Sequence, residues 1–321
     1  MIIEDRVYGQ YTVTEPVLLE LIESPALQRL KGINQYGVPD EYFYVPNFSR
    51  YEHCVGVMIL LARLGATVEE QIAGLLHDVS HTAFSHTIDW VIGNDIQEGY
   101  QDSQHKSYLL RTNIKPLVEK YDFDFDRIAD CHQFSLLEQE IPDLCADRVD
   151  YALREFAFNL PPEEVKTSIN NLTTHKGQII YKDYSSALWF GTAFLWHQQN
   201  RWGCFEGVSR YRWFAKALKY AIEEGTITLE DFWQDDKFVI EKVKKSTNPN
   251  LHKILNTLKN KSLSHLRLSS ELTHKKFRYV DPLFYRDGKP TRLSEYEKNF
   301  GEKLENARIE NNKGIYCPII N

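Results

Sequence analysis

Residues 75–86 read LLHDVSHTAFSH and place three histidines and one aspartate directly after an apolar run. The run belongs to a helical pattern over residues 67–81, with Thr67 as N-cap and Glu70 three positions later, as in a capping box. Imidazoles and carboxylates in an apolar helix are costly to bury unless they are paired or bind a metal. A metal site, a proton-transfer device and a polar loop behind a buried helix remain open for this segment alone.

Helical periodicity dominates the rest of the chain. Further helical patterns cover residues 14–33, 51–65 and 209–225, and the segment 134–160 ends in another helix. The segment GQIIYKDY, residues 177–184, is typical of one half of a small β-hairpin. The sequence therefore predicts a mainly α fold, a helical bundle with a small β-hairpin and an irregular C-terminal extension. We expect residues 1–225 to form the main domain and residues 226–321 to pack on it.

The cysteines, the N-terminus and the apolar runs indicate the cellular compartment. The five cysteines are scattered, without paired spacing or CxxC, which favours a reducing compartment and argues against disulfides or a cysteine-ligated zinc site. The N-terminus lacks the basic-then-apolar pattern of a signal peptide. The longest apolar run, residues 55–62, is too short to cross a bilayer. We therefore expect a cytoplasmic or nuclear protein without a transmembrane segment or a membrane partner.

The net charge of −7 hides a basic stretch, residues 237–278, which contains eleven Lys or Arg and two Glu. Such a stretch can attract phosphates or nucleic acid. It lacks a recognised binding motif, so a solvated helical face is the favoured interpretation. Nucleic acid stays open as a partner through this stretch but is not favoured.

Four ionisable side chains could meet from separate helices, namely His53, His77, Asp78 and Asp147. Two imidazole nitrogens and two carboxylates suit a borderline divalent metal such as Mn, Fe, Co or Zn. An incomplete protein shell leaves positions for water and for a substrate oxygen. Each residue alone has an ordinary explanation, because a lone buried His is usually structural and an Asp in a first helical turn is usually a cap.

The order of these four residues resembles the HD phosphohydrolase superfamily, in which a His precedes a His-Asp dipeptide and a distant Asp. Residues 5–37 also resemble the opening of its deoxynucleoside triphosphate triphosphohydrolase branch. Further matching segments are NFSRYEHCVGV, AGLLHDVSHTAFSH, DLCADRVDYALRE and KFRYVDP. The resemblance is close over residues 1–160 and thins towards the C-terminus. It implies an HD-domain helical bundle and a divalent metal cofactor, with Mn, Fe, Co, Zn and Mg all open.

The resemblance also implies roles in catalysis. It makes metal ligands of His53, His77, Asp78 and Asp147. His81 and His105 would hold phosphate oxygens, and His86 would act as general acid or relay, since imidazole can supply a proton near neutral pH. Asp89 lies three residues after His86 and would orient its ring if the segment is helical. A loop position facing solvent is the alternative for His81.

A nucleotide-binding site is implied by the same resemblance. The residues that it assigns to substrate binding are Gln35, Arg50, Arg148, Tyr151, Glu155, His197, Phe205 and Glu206. Arginine suits phosphate because its planar fork donates two hydrogen bonds. Glu206 stands where the family has Gln, which changes mixed donor and acceptor character to acceptor only. Arg148 and Glu155 could also be ordinary charges on a helix surface.

These residues predict metal-dependent hydrolysis of a nucleotide phosphoester. The leading hypothesis is conversion of a deoxynucleoside triphosphate to deoxynucleoside and triphosphate, by attack of water at the α-phosphorus. A stepwise nucleotide phosphatase, a monophosphatase or a phosphodiesterase on a different or modified nucleotide is the second hypothesis. A nucleotide- or nucleic-acid-binding protein with a residual metal site is a third, from another class. A homo-oligomer remains open, because the chain is shorter than the multi-domain members of the branch.

Overall fold

The computed structural model describes residues 1–93 and 98–320, and helices form the larger part of it. Up to residue 93 the elements are strands β1 (Ile2–Asp5) and β2 (Gly9–Thr12) and helices α1 (Pro16–Ile22), α2 (Pro25–Arg29), α3 (Arg50–Arg63), α4 (Val68–Leu76) and α5 (Thr87–Ile92). A 3-10 turn, Leu30–Gly32, follows α2. Half of the expected capping box of α4 is confirmed, because the Thr67 side chain accepts from the main-chain N–H of Glu70 at 3.2 Å, whereas the Glu70 carboxylate accepts from the main-chain N–H of Leu136 at 2.8 Å.

The middle of the chain adds helices and the hairpin. Its elements are α6 (Tyr100–Arg111), α7 (Ile114–Lys120), α8 (Phe125–Ile128), a 3-10 turn (Cys131–Gln133), α9 (Ala146–Phe156), α10 (Pro162–Asn170), β3 (Leu172–His175), β4 (Gln178–Tyr181) and α11 (Tyr184–His197). The predicted hairpin is confirmed as β3 and β4, which pair antiparallel with His175 opposite Gln178. Lys176 and Gly177 join the strands, both at positive φ, as the tightest hairpin turns require.

The C-terminal part is more regular than predicted. It contains a π-helical turn (Gln198–Trp202), α12 (Phe205–Glu223), a 3-10 turn (Leu229–Trp233), α13 (Asp236–Val243), α14 (Pro249–Leu258), β5 (Leu268–Thr273), β6 (Leu283–Arg286), β7 (Lys289–Arg292), α15 (Leu293–Tyr296), α16 (Lys298–Asn312) and β8 (Ile315–Pro318). Strands β6 and β7 extend the hairpin into a four-stranded sheet, β3-β4-β6-β7, and β5 pairs with β8. The fold is mainly helical, as predicted, with these small sheets in addition.

Two apolar cores hold the helices together. The first includes buried residues of α1, α3, α4, α9 and α11, and the second lies around α12, α13 and α14. Val280, Phe284 and Phe300, from the C-terminal part, belong to the first core. A domain division at residue 225 stays a prediction. Within residues 1–93 and 98–320, no helix combines the length and the apolar character needed to cross a membrane.

Candidate active site

Helices α3, α4 and α9 meet around a compact group of ionisable side chains. His53 lies in α3, His77 follows the last turn of α4, and Asp147 lies in the first turn of α9. The Nε2 atoms of the two imidazoles are 3.2 Å apart. Oδ1 of Asp147 lies 2.9 Å from Nε2 of His53 and 3.6 Å from Nε2 of His77. Ligands about 2.1 Å from one ion are separated by about 3 to 4 Å, so the three atoms can contact a single metal.

Hydrogen bonds on the far side of each ring determine which nitrogen faces this group. Nδ1 of His53 lies 2.8 Å from Oδ2 of Asp150, and Nδ1 of His77 lies 2.7 Å from the carbonyl oxygen of Gly74. Both partners accept, so each Nδ1 carries a proton, and each ring in its neutral form would present the lone pair of Nε2 to a metal. Two such lone pairs at 3.2 Å repel one another unless a cation lies between them. The donor set therefore fits a divalent metal ion.

Asp78, the fourth predicted ligand, lies at the edge of the group. Its carboxylate oxygens are 3.6 Å from Nε2 of His53 and 3.7 Å from Nε2 of His77. The Arg50 guanidinium contacts Oδ2 of Asp78, and Nε2 of His81 lies 3.2 Å from Oδ1. Burial opposes ionisation of Asp78, but Arg50 and the neighbouring imidazoles outweigh burial and hold its pKa well below the usual range. Asp78 therefore offers an ionised oxygen donor beside the two histidines.

A buried chain of charges supports His53 from behind. Asp150 accepts from Nε of Arg154 at 2.8 Å, and Arg154 in turn donates to Asp5 at 2.7 Å. The side chains of Asp150 and Arg154 are fully buried. Gly56 lies one turn after His53 on α3, and a Cβ there would overlap the Arg154 guanidinium. Only glycine leaves room for this chain of contacts, which fixes the orientation of the His53 ring.

The segment between α4 and α5 is a buried loop tied to a distant part of the chain. The main-chain N–H of Phe84 donates to Oδ1 of Asp236, in α13, at 2.7 Å. Phe84 and Ser85 have φ values of 63° and 44°, a conformation that is unfavourable for residues other than glycine. These contacts hold the loop against the core and fix the position of His86 at its end.

A cavity of about 390 Å³ lies against the metal-binding group. The predicted site residues that line it are Gln35, Arg50, His77, Asp78, His81, His86, Asp147, Arg148, Tyr151 and Glu155. Asp147, Tyr151 and Glu155 are spaced four residues apart on α9, so this helix forms one wall over about 12 Å. His53 is fully buried behind that wall.

The predicted catalytic residues His86 and Asp89 are paired, and His105 lies outside the cavity lining. Nδ1 of His86 is 3.3 Å from Oδ2 of Asp89, whose other oxygen accepts from the main-chain N–H of Tyr100 at 3.0 Å. His105 does not line the cavity, and its Nδ1 lies 3.0 Å from Oγ of Ser80. Burial lowers the pKa of His105 to about 4, so its ring is neutral at physiological pH. The structure does not place His105 where it would contact a phosphate in the cavity, so that contact stays a prediction.

Three predicted substrate contacts also lie away from the cavity. His197 is buried and bonded to a main-chain carbonyl of its own helix at 2.7 Å. Glu206 accepts from a main-chain N–H in the loop after α14 at 2.7 Å, and Phe205 is the first residue of α12. Gly207 and Tyr211, one turn apart on α12, line the cavity instead. Successive helical residues are rotated by about 100°, so Phe205 and Glu206 fall on other faces of α12.

Much of the remaining lining comes from residues that the sequence interpretation did not assign to the site. These residues are Glu98, His132, Glu138, Arg201, Trp202, Tyr211, Lys275, Lys276 and Arg278. Lys276 and Arg278 lie within KFRYVDP, and Lys275 precedes it in the basic stretch 237–278, so these two signals could have identified all three. The others lie in turns, in irregular segments or on one face of α12, where no motif marked them.

Comparisons with known proteins agree with this geometry. The sequence profile of the HD domain matches residues 50–155. The uncharacterised protein YdhJ of Bacillus subtilis is 33% identical over 100% of this chain and 99% of its own length. The metal-dependent phosphohydrolase cns2 of Cordyceps militaris is 31% identical over 88% of this chain and 84% of its own length. Human deoxynucleoside triphosphate triphosphohydrolase SAMHD1 is 29% identical over 37% of this chain and 22% of its own length.

A solved structure shares the overall fold. The crystal structure of a phosphohydrolase from Bacteroides thetaiotaomicron matches with a TM-score of 0.66 at 17% identity, over 92% of this chain and 94% of that chain. The His and Asp side chains beside the cavity form a group that can hold a metal ion in this fold. The chain belongs to the HD-domain family of metal-dependent phosphohydrolases, and a divalent metal ion is its cofactor.

Proposed function

We propose that this protein hydrolyses a nucleotide phosphoester and that its substrate is a deoxynucleoside triphosphate, cleaved to deoxynucleoside and triphosphate. The observation that carries the proposal is the wall formed by α9. Asp147 at the metal-binding group, Tyr151 one turn later and Glu155 two turns later all line one cavity. The parts of a nucleotide follow in the same order. Its phosphate would lie at the metal beside Asp147, and its sugar and base would lie further along α9.

A few side chains would have separate roles in the reaction. The metal ion would be held by His53, His77, Asp78 and Asp147. When bound, the ion polarises the phosphorus and lowers the pKa of a water molecule. His86, oriented by Asp89, would give a proton to the leaving 5′-oxygen, and His81 would contact a phosphate oxygen.

The far end of the cavity provides groups suited to a sugar. Oε1 of Gln35 is buried and accepts no hydrogen bond from the part of the chain that the structure describes. A sugar hydroxyl could donate to this oxygen, which would remove the cost of leaving it unpaired. Burial raises the pKa of Glu155 to about 7, so its carboxyl group can donate or accept near neutral pH. Tyr151 lies between the two ends and would contact the sugar-phosphate portion.

A second candidate is removal of a single phosphate from a smaller nucleotide. It is favoured by the contacts of Arg148, which donates to two main-chain carbonyl oxygens at 2.6 and 3.0 Å and lies 3.5 Å from Glu138. A guanidinium engaged in this way has fewer donors for a polyphosphate. Arg50 is likewise engaged with Asp78.

Product analysis separates the two candidates. The protein is incubated with Mn²⁺ and with deoxynucleoside mono-, di- and triphosphates, and the products are resolved by anion exchange, with Asp147→Asn as the control. Deoxynucleoside and intact triphosphate in equal amounts support the leading proposal. Orthophosphate alone, released also from monophosphates, supports the second candidate. Metal-loaded protein that cleaves none of these nucleotides contradicts both.

A further inference from the structure

An irregular segment between β5 and β6 brings cations to the cavity. Lys275, Lys276 and Arg278, in what we term the cationic segment (residues 275–278), all line the cavity. The main-chain N–H of Arg278 donates to Oε1 of Gln198 at 3.2 Å, which ties the segment to the π-helical turn. The metal-binding group and the cationic segment therefore face the same space from different parts of the chain.

Arg278 is held by a buried partner. Glu98 is 5% exposed, lines the same cavity and contacts Nη2 of Arg278. Its φ of 53° lies in the left-handed region, which is unfavourable for glutamate and is maintained here by the surrounding contacts. Within residues 1–93 and 98–320, Glu98 is the acceptor found for the guanidinium of Arg278. A guanidinium has five N–H donors, so the others remain available to a ligand.

Lys275 is held against an aromatic face. Its Nζ lies 4.2 Å from the centroid of the Tyr211 ring, which is 6% exposed and lines the cavity. Burial lowers the pKa of Lys275 to about 8, because the ammonium group is partly removed from water. An anionic ligand in the cavity would compensate for that loss of hydration.

We propose that Lys275 and Arg278 bind the phosphate charge that the metal does not neutralise, and that Glu98 is a positioning residue for Arg278. The inference rests on the proposed function and deepens it. It specifies a substrate with at least two negative charges, so a diester with a single charge would gain nothing from this segment.

The test compares two substrates in matched variants. Arg278→Gln and Lys275→Met remove cavity cations, while Arg267→Gln removes an exposed charge from the same basic stretch. Each Mn²⁺-loaded protein is assayed with its best nucleotide substrate and with bis(4-nitrophenyl) phosphate, as substrate or as competing ligand. We expect Arg278→Gln to raise the KM for the nucleotide by roughly 10- to 100-fold, the range for a charged hydrogen bond, with little change in kcat. The diester should show no such change, and Arg267→Gln should behave as wild type.

Glu98 is tested by its effect on KM and by rescue. Glu98→Gln keeps the shape but loses the charge that orients Arg278, so the KM for the nucleotide should rise severalfold at unchanged kcat. Arg278→Lys should restore part of the affinity lost in Arg278→Gln. If Arg278→Gln matches Arg267→Gln, or weakens both substrates equally, the inference is wrong although the proposed function stands. If wild-type protein cleaves neither substrate, the proposed function itself fails.

Discussion

Two parts of the cavity lining are built in different ways. At the metal-binding end, His53 and Asp147 project from α3 and α9, and the fully buried pair of Asp150 and Arg154 supports them. The rest of the lining comes from the π-helical turn Gln198–Trp202, one face of α12 and the cationic segment. Rigid helices suit a reaction centre, whereas loops and turns suit recognition, because they can vary without disturbing the core.

This difference implies that substitutions in the two parts should affect different kinetic constants. Changes at the metal-binding end should alter metal affinity and kcat, because they act on the reacting phosphate. Changes in the rest of the lining should alter the KM for the nucleotide more than kcat, because they act on groups that do not react.

Asp147→Asn should have the largest effect. The amide keeps the shape but loses the negative charge shared by His53 and His77, so we expect kcat to fall at least about 1000-fold. Steady-state kinetics at saturating Mn²⁺ measure the loss, and circular dichroism verifies the fold. Asp122→Asn, at an exposed position, is the control and should keep wild-type turnover. Turnover of Asp147→Asn within tenfold of wild type would exclude Asp147 as a ligand.

Asp150→Asn should weaken metal binding without touching the metal. The amide oxygen can still accept from Nδ1 of His53 and Nε of Arg154, but the negative charge that makes Nε2 of His53 a stronger metal donor is lost. We expect metal affinity to fall by about 10- to 100-fold, and excess Mn²⁺ to restore part of the turnover. Metal titration followed by calorimetry measures the affinity. An unchanged affinity would mean that the charge of Asp150 does not strengthen His53 as a metal ligand.

Glu155→Gln should change how the stability of the protein depends on pH. Burial raises the pKa of Glu155 to about 7 from an ordinary value of 4.5. The folded state therefore keeps a proton that the unfolded chain has lost, and the free energy of unfolding falls as pH rises between these values. Glutamine is neutral at every pH. The free energy of unfolding of Glu155→Gln, relative to wild type, should therefore rise by about 3 kcal/mol from pH 4.5 to pH 8. Urea unfolding at several pH values measures the difference, and a constant difference would contradict the raised pKa.

The double variant Lys244→Gln/Lys245→Gln should have the smallest effect. Both residues are exposed, and Lys244 already pairs with Glu41 at 2.8 Å. An exposed pair of this kind contributes little, so we expect kcat/KM to stay within about twofold of wild type. A large loss of activity in this variant would favour the nucleic-acid-binding hypothesis, which fluorescence anisotropy with labelled DNA or RNA would then test.

The metal-binding end could be predicted from the sequence, because His53, His77 and Asp147 interrupt apolar helical patterns in a recognisable order. The hairpin could be predicted from its apolar run and turn. Phe205 and Glu206 do not line the cavity, because α12 presents the face of Gly207 and Tyr211 to it, and the sequence alone does not say which face of α12 is turned inward. Glu98 and Arg278 are 180 positions apart, and no periodic pattern connects residues at such a distance.

The central claim is that His53, His77 and Asp147 hold the catalytic metal ion, and metal counting tests it most directly. Wild-type protein and His77→Ala are stripped with a chelator and titrated with Mn²⁺, and bound metal and nucleotide hydrolysis are measured on the same samples. We expect one tightly bound ion per wild-type chain, with hydrolysis rising in proportion to it, and loss of both in His77→Ala. Full hydrolysis by stripped wild-type protein, or equal tight metal binding by His77→Ala, would contradict the claim.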